Sequence, residues 1–261
     1  MDLDLTDQTI LITGSTRGIG KAIAMTFLEE KAEVILTGRD KDDLKNTEQS
    51  FINKYGLNRV HAFNGDLSNS STIDLLHIFI TKQIEGLDHL ICNIGSGKSV
   101  PPLHEDMSEV QRMFHINFFS AVAVIQKMIP LLEISASRKS TSASVTLIGS
   151  ICGIEALGCP VAYASAKAAL EAYVKNIARP LGRKGIRVNI VSPGNIYFPG
   201  STWEDKLLHD KIAVQEMLDR EVPLSRFGIL EEVANIVTFL SSKQAGFVTG
   251  ANWVVDGGQT R

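Results

Sequence analysis

Short runs of aliphatic and β-branched residues alternate along this chain with longer segments in which apolar positions recur every three or four residues. The short runs predict strands at 9–13, 33–37, 60–64, 87–93, 144–148, 187–191 and 253–255. The longer segments predict helices at 18–31, 41–55, 70–84, a long stretch around 105–134, 162–181 and 231–241. In the first of these, Ile19, Ala22, Ile23, Phe27 and Leu28 fall on one helical face. Strands such as TILIT, DHLIC and RVNIV are apolar almost throughout, which implies burial on both faces and hence a parallel sheet covered by helices. Repeated βαβ units with right-handed crossovers then give an α/β, doubly wound fold. No linker-like composition shift and no repeat divides the chain, so 1–261 reads as one domain; the polar string SASRKSTSAS (135–144) reads as an exposed loop.

The segment ITGSTRGIGKA after the first strand admits two chemistries. As a triphosphate loop it fails, because Ser15 stands where the first glycine belongs and Ala22 where the magnesium-binding hydroxyl belongs. As a dinucleotide turn it offers Gly14, Gly18 and Gly20 between a strand and a helix N-terminus, whose N–H groups and dipole hold anions. CNIGSGKSV (92–100) is a second broken triphosphate loop, with Cys92 at the first glycine and Pro101–Pro102 where a helix should run. The second strand ends TGRD, so Gly38 occupies the position where an NAD-preferring fold carries an acid on the ribose 2′-hydroxyl. Arg17 and Arg39 suit a 2′-phosphate instead, which predicts NADP(H) over NAD(H); Asp40, one residue too far on, leaves room for dual use.

Composition narrows the classes. Of 261 residues 44% are hydrophobic, ample for a core, and the net charge of −3 provides no field to attract nucleic acid or an anionic membrane. Small basic patches at Arg138–Lys139 and at Arg183, Lys184 and Arg187 read as solvated surface. The acidic start MDLDLTDQ lacks the features of a secretory leader, and no unbroken run of about 18 apolar residues appears. Cys92, Cys152 and Cys159 are odd in number without CxxC spacing, which predicts reduced thiols and a cytoplasmic setting. The six histidines show no ligand spacing, so no metal is expected.

The chemistry concentrates in GSICGIEALGCPVAYASAK (149–167). Tyr163 and Lys167 are four apart, hence neighbours on one helix face, and an ammonium beside a phenol favours the phenolate. Such a tyrosine exchanges a proton with a carbonyl or alcohol oxygen. Ser150, at the end of a strand, is placed to hydrogen-bond the same oxygen and does not form the G-x-S-x-G of a hydrolase.

Together these segments resemble the classical short-chain dehydrogenase/reductase family over nearly the whole chain. TGSTRGIG carries its glycine motif, NGDLS its adenine-side aspartate as Asp66, and CNIG its N-N-A-G segment with Asn93 and Gly95 kept. MFHINFFS carries Asn117, RVNIVSPG the strand after the catalytic helix, and VPLSRFGILEEVA with FVTGANWVVDGG the C-terminal part. The resemblance implies a Rossmann-type sheet of order 3-2-1-4-5-6-7, catalysis by Asn117, Ser150, Tyr163 and Lys167, and hydride exchange between NADP(H) and a carbonyl or secondary alcohol. It implies cofactor binding by Gly14, Ser15, Arg17, Gly18, Ile19, Gly20, Arg39, Asp66, Leu67, Asn93, Gly95, Tyr163, Lys167, Pro193, Gly194 and Ile196. The role of Asn117 rests on the resemblance alone. Phe198 departs from the family, which often has threonine there, and Pro180 stands where it would terminate or kink the catalytic helix.

The segment 197–222 falls where the family places a substrate lid, with Tyr197 and Trp203 as pocket walls and Leu207, Leu208 and Ile212 read as packing on the body. The closing motifs are most similar to the 3-oxoacyl-carrier-protein reductase branch. This implies a thioester-type ketone, an acidic acyl carrier protein met by Lys184 or Arg138, and a homotetramer or homodimer. A sugar, polyol or other small-molecule ketone is the alternative substrate, and an inactive NADP-responsive binding protein the alternative of another class.

Overall fold

The computed structural model describes residues 2–138 and 143–261. Strands β1 (Thr9–Ile12), β2 (Glu33–Gly38), β3 (Val60–Asn64), β4 (His89–Cys92), β5 (Ala143–Ile148), β6 (Ile186–Pro193) and β7 (Asn252–Val255) form one sheet of order 3-2-1-4-5-6-7. Every described pairing is parallel; Ile12, for example, lies beside Leu36 on one side and Ile91 on the other. Helices α1 (Gly18–Glu29), α2 (Lys41–Tyr55) and α9 (Leu230–Ser241) cover one face. Helices α3 (Ser70–Gln83), α5 (Ser120–Ala136) and α6 (Val161–Gly182) cover the other. Alternation along β1 feeds both cores: Ile10 and Ile12 pack with Ile23, Phe27 and Val237, while Leu11 packs with Leu76, Val124 and Leu170. Each such fully buried side chain contributes roughly 1.5–3 kcal/mol.

The predicted elements coincide with observed ones to within two residues at each end. The long stretch resolves into α4 (Met107–Phe114), a π turn at His115–Phe119 and α5. Met107–Ala136 is long and apolar enough, by length and composition, to cross a membrane, at mean hydropathy 1.5. It is no unbroken apolar run, and Val124, Ile125, Met128 and Leu132 of this helix are buried within the protein. Helix α6 runs through Pro180 to Gly182, so the proline does not end it. The polar string begins inside α5, and its residues 139–142 lie outside the described residues.

Arg187 is not surface. It is 8% exposed and donates to the carbonyls of Leu240, Ser241 and Ser242 at 2.6, 3.1 and 3.2 Å. A guanidinium there satisfies the carbonyls at the C-terminus of α9 and complements its dipole. Burial pushes its pKa down to about 10. Lys184 and Arg138 do lie outside, paired with Glu133 and Glu85 at 2.5 and 3.2 Å.

Candidate active site

Strand order reverses between β1 and β4, and the crevice at their C-terminal ends is where doubly wound sheets bind ligands. Thr13 ties this point together: its hydroxyl accepts from the backbone N–H groups of Asn93 and Ile94 at 2.9 and 3.2 Å. Gly14 and Gly18 have φ of +66° and +54°, the left-handed region that glycine enters at no cost. A Cβ on Gly20 would stand 2.3 Å from the Gly14 carbonyl oxygen and 2.5 Å from Asn93 Nδ2. The turn is thus a backbone-lined cradle opening onto the N-terminus of α1, where no side chain caps the first turn. Such a cradle fits a pyrophosphate. Lys21 points elsewhere, its ammonium 6.0 Å from the Phe51 ring centroid, so the triphosphate-loop reading has no lysine. Ser15 is fully buried and its hydroxyl is bonded to the Thr37 backbone, while Ile19 is half-buried at the edge of the core.

At the adenosine end a Cβ on Gly38 would stand 2.5 Å from Thr16 Cγ2, so an acidic side chain has no room at the end of β2. Asp40 caps α2, its Oδ1 accepting from the N–H groups of Asp42 and Asp43, both at 2.9 Å. That carboxylate is therefore engaged away from a ribose. Arg17 and Arg39 are both exposed and make no ion pair among the described residues. Burial pushes the Asp66 carboxyl up, but hydrogen bonds from Ser68 and the charges of Arg39 and His115 bring it below its usual range. Leu67 is 1% exposed within the core, so only its backbone faces the crevice side.

The candidate acid/base residues converge from the end of β5, the π turn ahead of α5, and α6. Ser150 follows β5, and its hydroxyl stands near enough to the Tyr163 phenol to lower its pKa. Lys167, 5% exposed, donates to the Ile148 carbonyl at 2.8 Å, and its Nζ lies 5.9 Å from the centre of the Tyr163 ring. Burial pushes the Lys167 ammonium down to about 8. Burial also raises the Tyr163 phenol above its ordinary value, with the Ser150 bond opposing it. The expected lowering of that phenol by Lys167 is corrected: desolvation of a phenolate in this crevice is the larger effect.

Asn117 sits fully buried in the π turn, a bulge common at functional sites. Its Oδ1 accepts from Ser96 N–H at 2.9 Å, and its Nδ2 donates to Ser96 and Met113 carbonyls at 3.1 Å each. A Cβ on Gly95 would stand 2.8 Å from Asn117 Oδ1 and 3.2 Å from Lys167 Nζ. The structure thus brings Asn117, Lys167, Tyr163 and Ser150 together beside Gly95 at the C-terminal end of the sheet. On the far side, β6 ends at Pro193 and the Gly194 N–H donates to Val255 at 2.9 Å. Ile196 forms a parallel bridge with Gly228 through its neighbours Asn195 and Tyr197, which leaves its own N–H and C=O outside that bridge. Those two groups fit a carboxamide.

Within the segment 197–222, read from the resemblance as a lid, the chain forms α7 (Thr202–His209) and α8 (Lys211–Glu221). Trp203 lies inside α7, and its ring and that of Tyr197 pack on Phe227 at 5.2 and 5.9 Å between centroids. Trp203, Lys206, Ala213 and Met217 line a cavity of about 330 Å³. Leu207 packs beside Val214 and Leu218 in a cluster formed mainly by this segment itself, and Leu208 and Ile212 are 80% and 74% exposed, correcting the reading of these residues as packing on the body.

Sequence reasoning missed two features. Cys152 and Cys159 form a disulfide, with Cα atoms 6.2 Å apart across a turn at Gly158 of φ +71°, so the expectation of three free thiols is corrected. Only Cys92 is free among the described residues; it is buried, and burial pushes its thiol up. Glu105 accepts from the first two N–H groups of α6, a contact spanning more than fifty residues that no local pattern announces.

A doubly wound sheet carrying a glycine cradle at its switch point and a Ser–Tyr–Lys cluster defines an oxidoreductase of alcohol and ketone groups with a Rossmann-type domain. The chain belongs to the short-chain dehydrogenase/reductase family, with residues 14–260 matching the family described as Enoyl-(Acyl carrier protein) reductase. It is 30% identical over 258 residues to 3-oxoacyl-[acyl-carrier-protein] reductase FabG of Aquifex aeolicus, spanning 99% of each. L-sorbose reductase of Gluconobacter frateurii, solved with NADPH and L-sorbose, superposes with a TM-score of 0.92 at 28% identity, over 100% of this chain and 99% of that one. A 7α-hydroxysteroid dehydrogenase solved with NADH and 7-oxo glycochenodeoxycholic acid gives 0.88 at 28% identity, over 99% and 96%.

Proposed function

We propose that this protein is an NADP(H)-dependent reductase of a 3-oxoacyl thioester-type ketone. The observation that carries the reading is the buried Lys167, whose ammonium is held on the Ile148 carbonyl two residues before Ser150 and lies 5.9 Å from the centre of the Tyr163 ring. When bound, the dinucleotide supplies the hydride. Tyr163, held protonated by its surroundings, donates its phenolic proton to the carbonyl oxygen as negative charge develops there. Ser150 donates a hydrogen bond to the same oxygen. Lys167 places a positive charge beside the phenolate that this transfer leaves, and Asn117 fixes Ser96 in the loop after β4, next to Gly95 and Lys167. Arg17 and Arg39 hold the 2′-phosphate, supported by the absence of space for an acid at Gly38 and by the engagement of Asp40 in its cap. The thioester reading draws on the similarity to the Aquifex enzyme. A sugar ketone is the second reading, favoured by the close superposition on L-sorbose reductase.

The test is a substrate panel with NADPH and NADH side by side, led by an acetoacetyl thioester and including L-sorbose. NADPH-dependent reduction of the thioester is expected, falling at least 100-fold in Tyr163→Phe while NADPH binding persists; general acid catalysis is worth roughly 10²–10⁴-fold. Turnover of L-sorbose alone selects the second reading. Cofactor binding without turnover across the panel makes the chain a binding protein.

A further inference from the structure

The catalytic helix starts without a cap of its own. Its N-cap residue is Pro160, which has no side-chain acceptor, and Tyr163 is only the third residue of the helix. Uncapped first-turn N–H groups leave a helix end free to fray. Here the partner arrives from another part of the chain. Glu105 Oε1 accepts from Val161 N–H at 2.8 Å and Ala162 N–H at 3.4 Å, bonding the two residues that directly precede Tyr163. The Glu105 carboxyl is held below its usual range by its own backbone N–H first and then by Val161, Ala162 and Leu103, so it meets the helix dipole as an anion.

The same short segment fixes the opposite wall. Asp106 caps α4, and one turn on Glu109 accepts from the Ser99 hydroxyl at 2.5 Å and is paired with Arg112 at 2.6 Å. Arg112 in turn donates to the Lys98 carbonyl at 2.9 Å. Residues 96–99 are thereby held over the phenol, where a Cβ on Gly97 would sit 3.9 Å from the Tyr163 ring. Residues 105–112 thus grip both the helix that carries Tyr163 and the loop that roofs it.

We infer that Glu105 is a positioning residue for Tyr163, setting the place of the phenol relative to Ser150 by anchoring the first turn of α6 from the loop ahead of α4. The inference rests on Tyr163 being the acid/base of the proposed function. Misplacing a reacting group by about 1 Å costs on the order of 100-fold in rate. Glu105→Ala is therefore expected to lower kcat 10- to 100-fold with NADPH affinity within twofold of wild type, because the glycine cradle and Arg39 are untouched. Glu105→Gln keeps an oxygen at the same reach and restores most of kcat. Glu105→Asp, one methylene shorter, does not.

A cap that only stabilises the fold would lower the melting temperature of Glu105→Ala and leave kcat unchanged well below it; that result overturns the inference. The second readout needs no turnover. In protein labelled with 13Cζ-tyrosine, the Tyr163 resonance, assigned by its loss in Tyr163→Phe, is expected to move in Glu105→Ala and to return in Glu105→Gln. An unmoved resonance overturns the positioning role even if every ketone proves inert. A moved resonance with an inert wild type retains the positioning role and overturns the reductase reading alone.

Discussion

Arg39 is the residue on which the proposed choice of NADP(H) turns. At the end of β2 the chain places a glycine whose missing Cβ is filled by Thr16, and directly after it an exposed guanidinium near the Asp66 carboxylate. An acid at position 38 would have to displace Thr16 before it could reach a ribose. Charge-assisted hydrogen bonds contribute about 1.5–3 kcal/mol, or roughly 10- to 150-fold in affinity. Arg39→Ala is expected to raise the KM for NADPH by about that factor and leave the KM for NADH unchanged. Equal losses with both cofactors would show that Arg39 supports the fold of the turn and does not read the phosphate. The lack of an acid at the end of β2 was legible in TGRD. The engagement of Asp40 was not, because a cap is recognised only when the helix it begins is in place.

At the scale of elements, strand and helix positions were legible because apolar period records burial, and burial is complete along β1, β4, β5 and β6. What escaped were contacts between distant segments. Arg187 lies in a run of charges in sequence and beneath α9 in space. The Cys152–Cys159 bond closes the connection between β5 and α6, the stretch that joins Ser150 to Tyr163. Cys152 N–H also donates to the Ser150 hydroxyl at 3.2 Å, so the bridged loop begins at a catalytic side chain. Closing a loop this short stabilises by about 2–3 kcal/mol in the chain-entropy account. Reduction with a dithiol, or Cys152→Ser with Cys159→Ser, is expected to lower the melting temperature by about 5 °C. It is also expected to raise the KM for ketone more than the KM for NADPH. The check pairs calorimetry with intact mass: protein purified without reductant that alkylates at both cysteines would remove the bridge from the account.

The molecule as a whole divides its polar burial between the two ends of the sheet. The C-terminal ends carry the cofactor cradle and the acid/base residues. Nearer the opposite end His89 is fully buried, with Nε2 bonded to Gln8 at 2.5 Å and Nδ1 to the Ser144 hydroxyl at 2.8 Å. Burial first, and the Arg187 charge second, push its pKa down to about 3. The unfolded chain takes up this proton near pH 6.5 and the folded chain only near 3, so between those values the unfolded state binds more protons. The stability that neutral His89 contributes is therefore complete above pH 6.5 and declines as the pH falls, by about 1.4 kcal/mol per unit. Between pH 6.5 and 5 the wild type is expected to lose about 2 kcal/mol through this group alone. His89→Asn cannot take up the proton and retains some hydrogen-bonding capacity, so it should start less stable and show a shallower slope. Urea unfolding at several pH values, read through midpoint and m-value together, measures both. Parallel slopes for the two proteins would assign the acid sensitivity to carboxylates such as Glu232, which Arg226 and the Ile229 N–H hold at a pKa of about 2. In that case His89 would matter only for the packing of β1, β4 and β5.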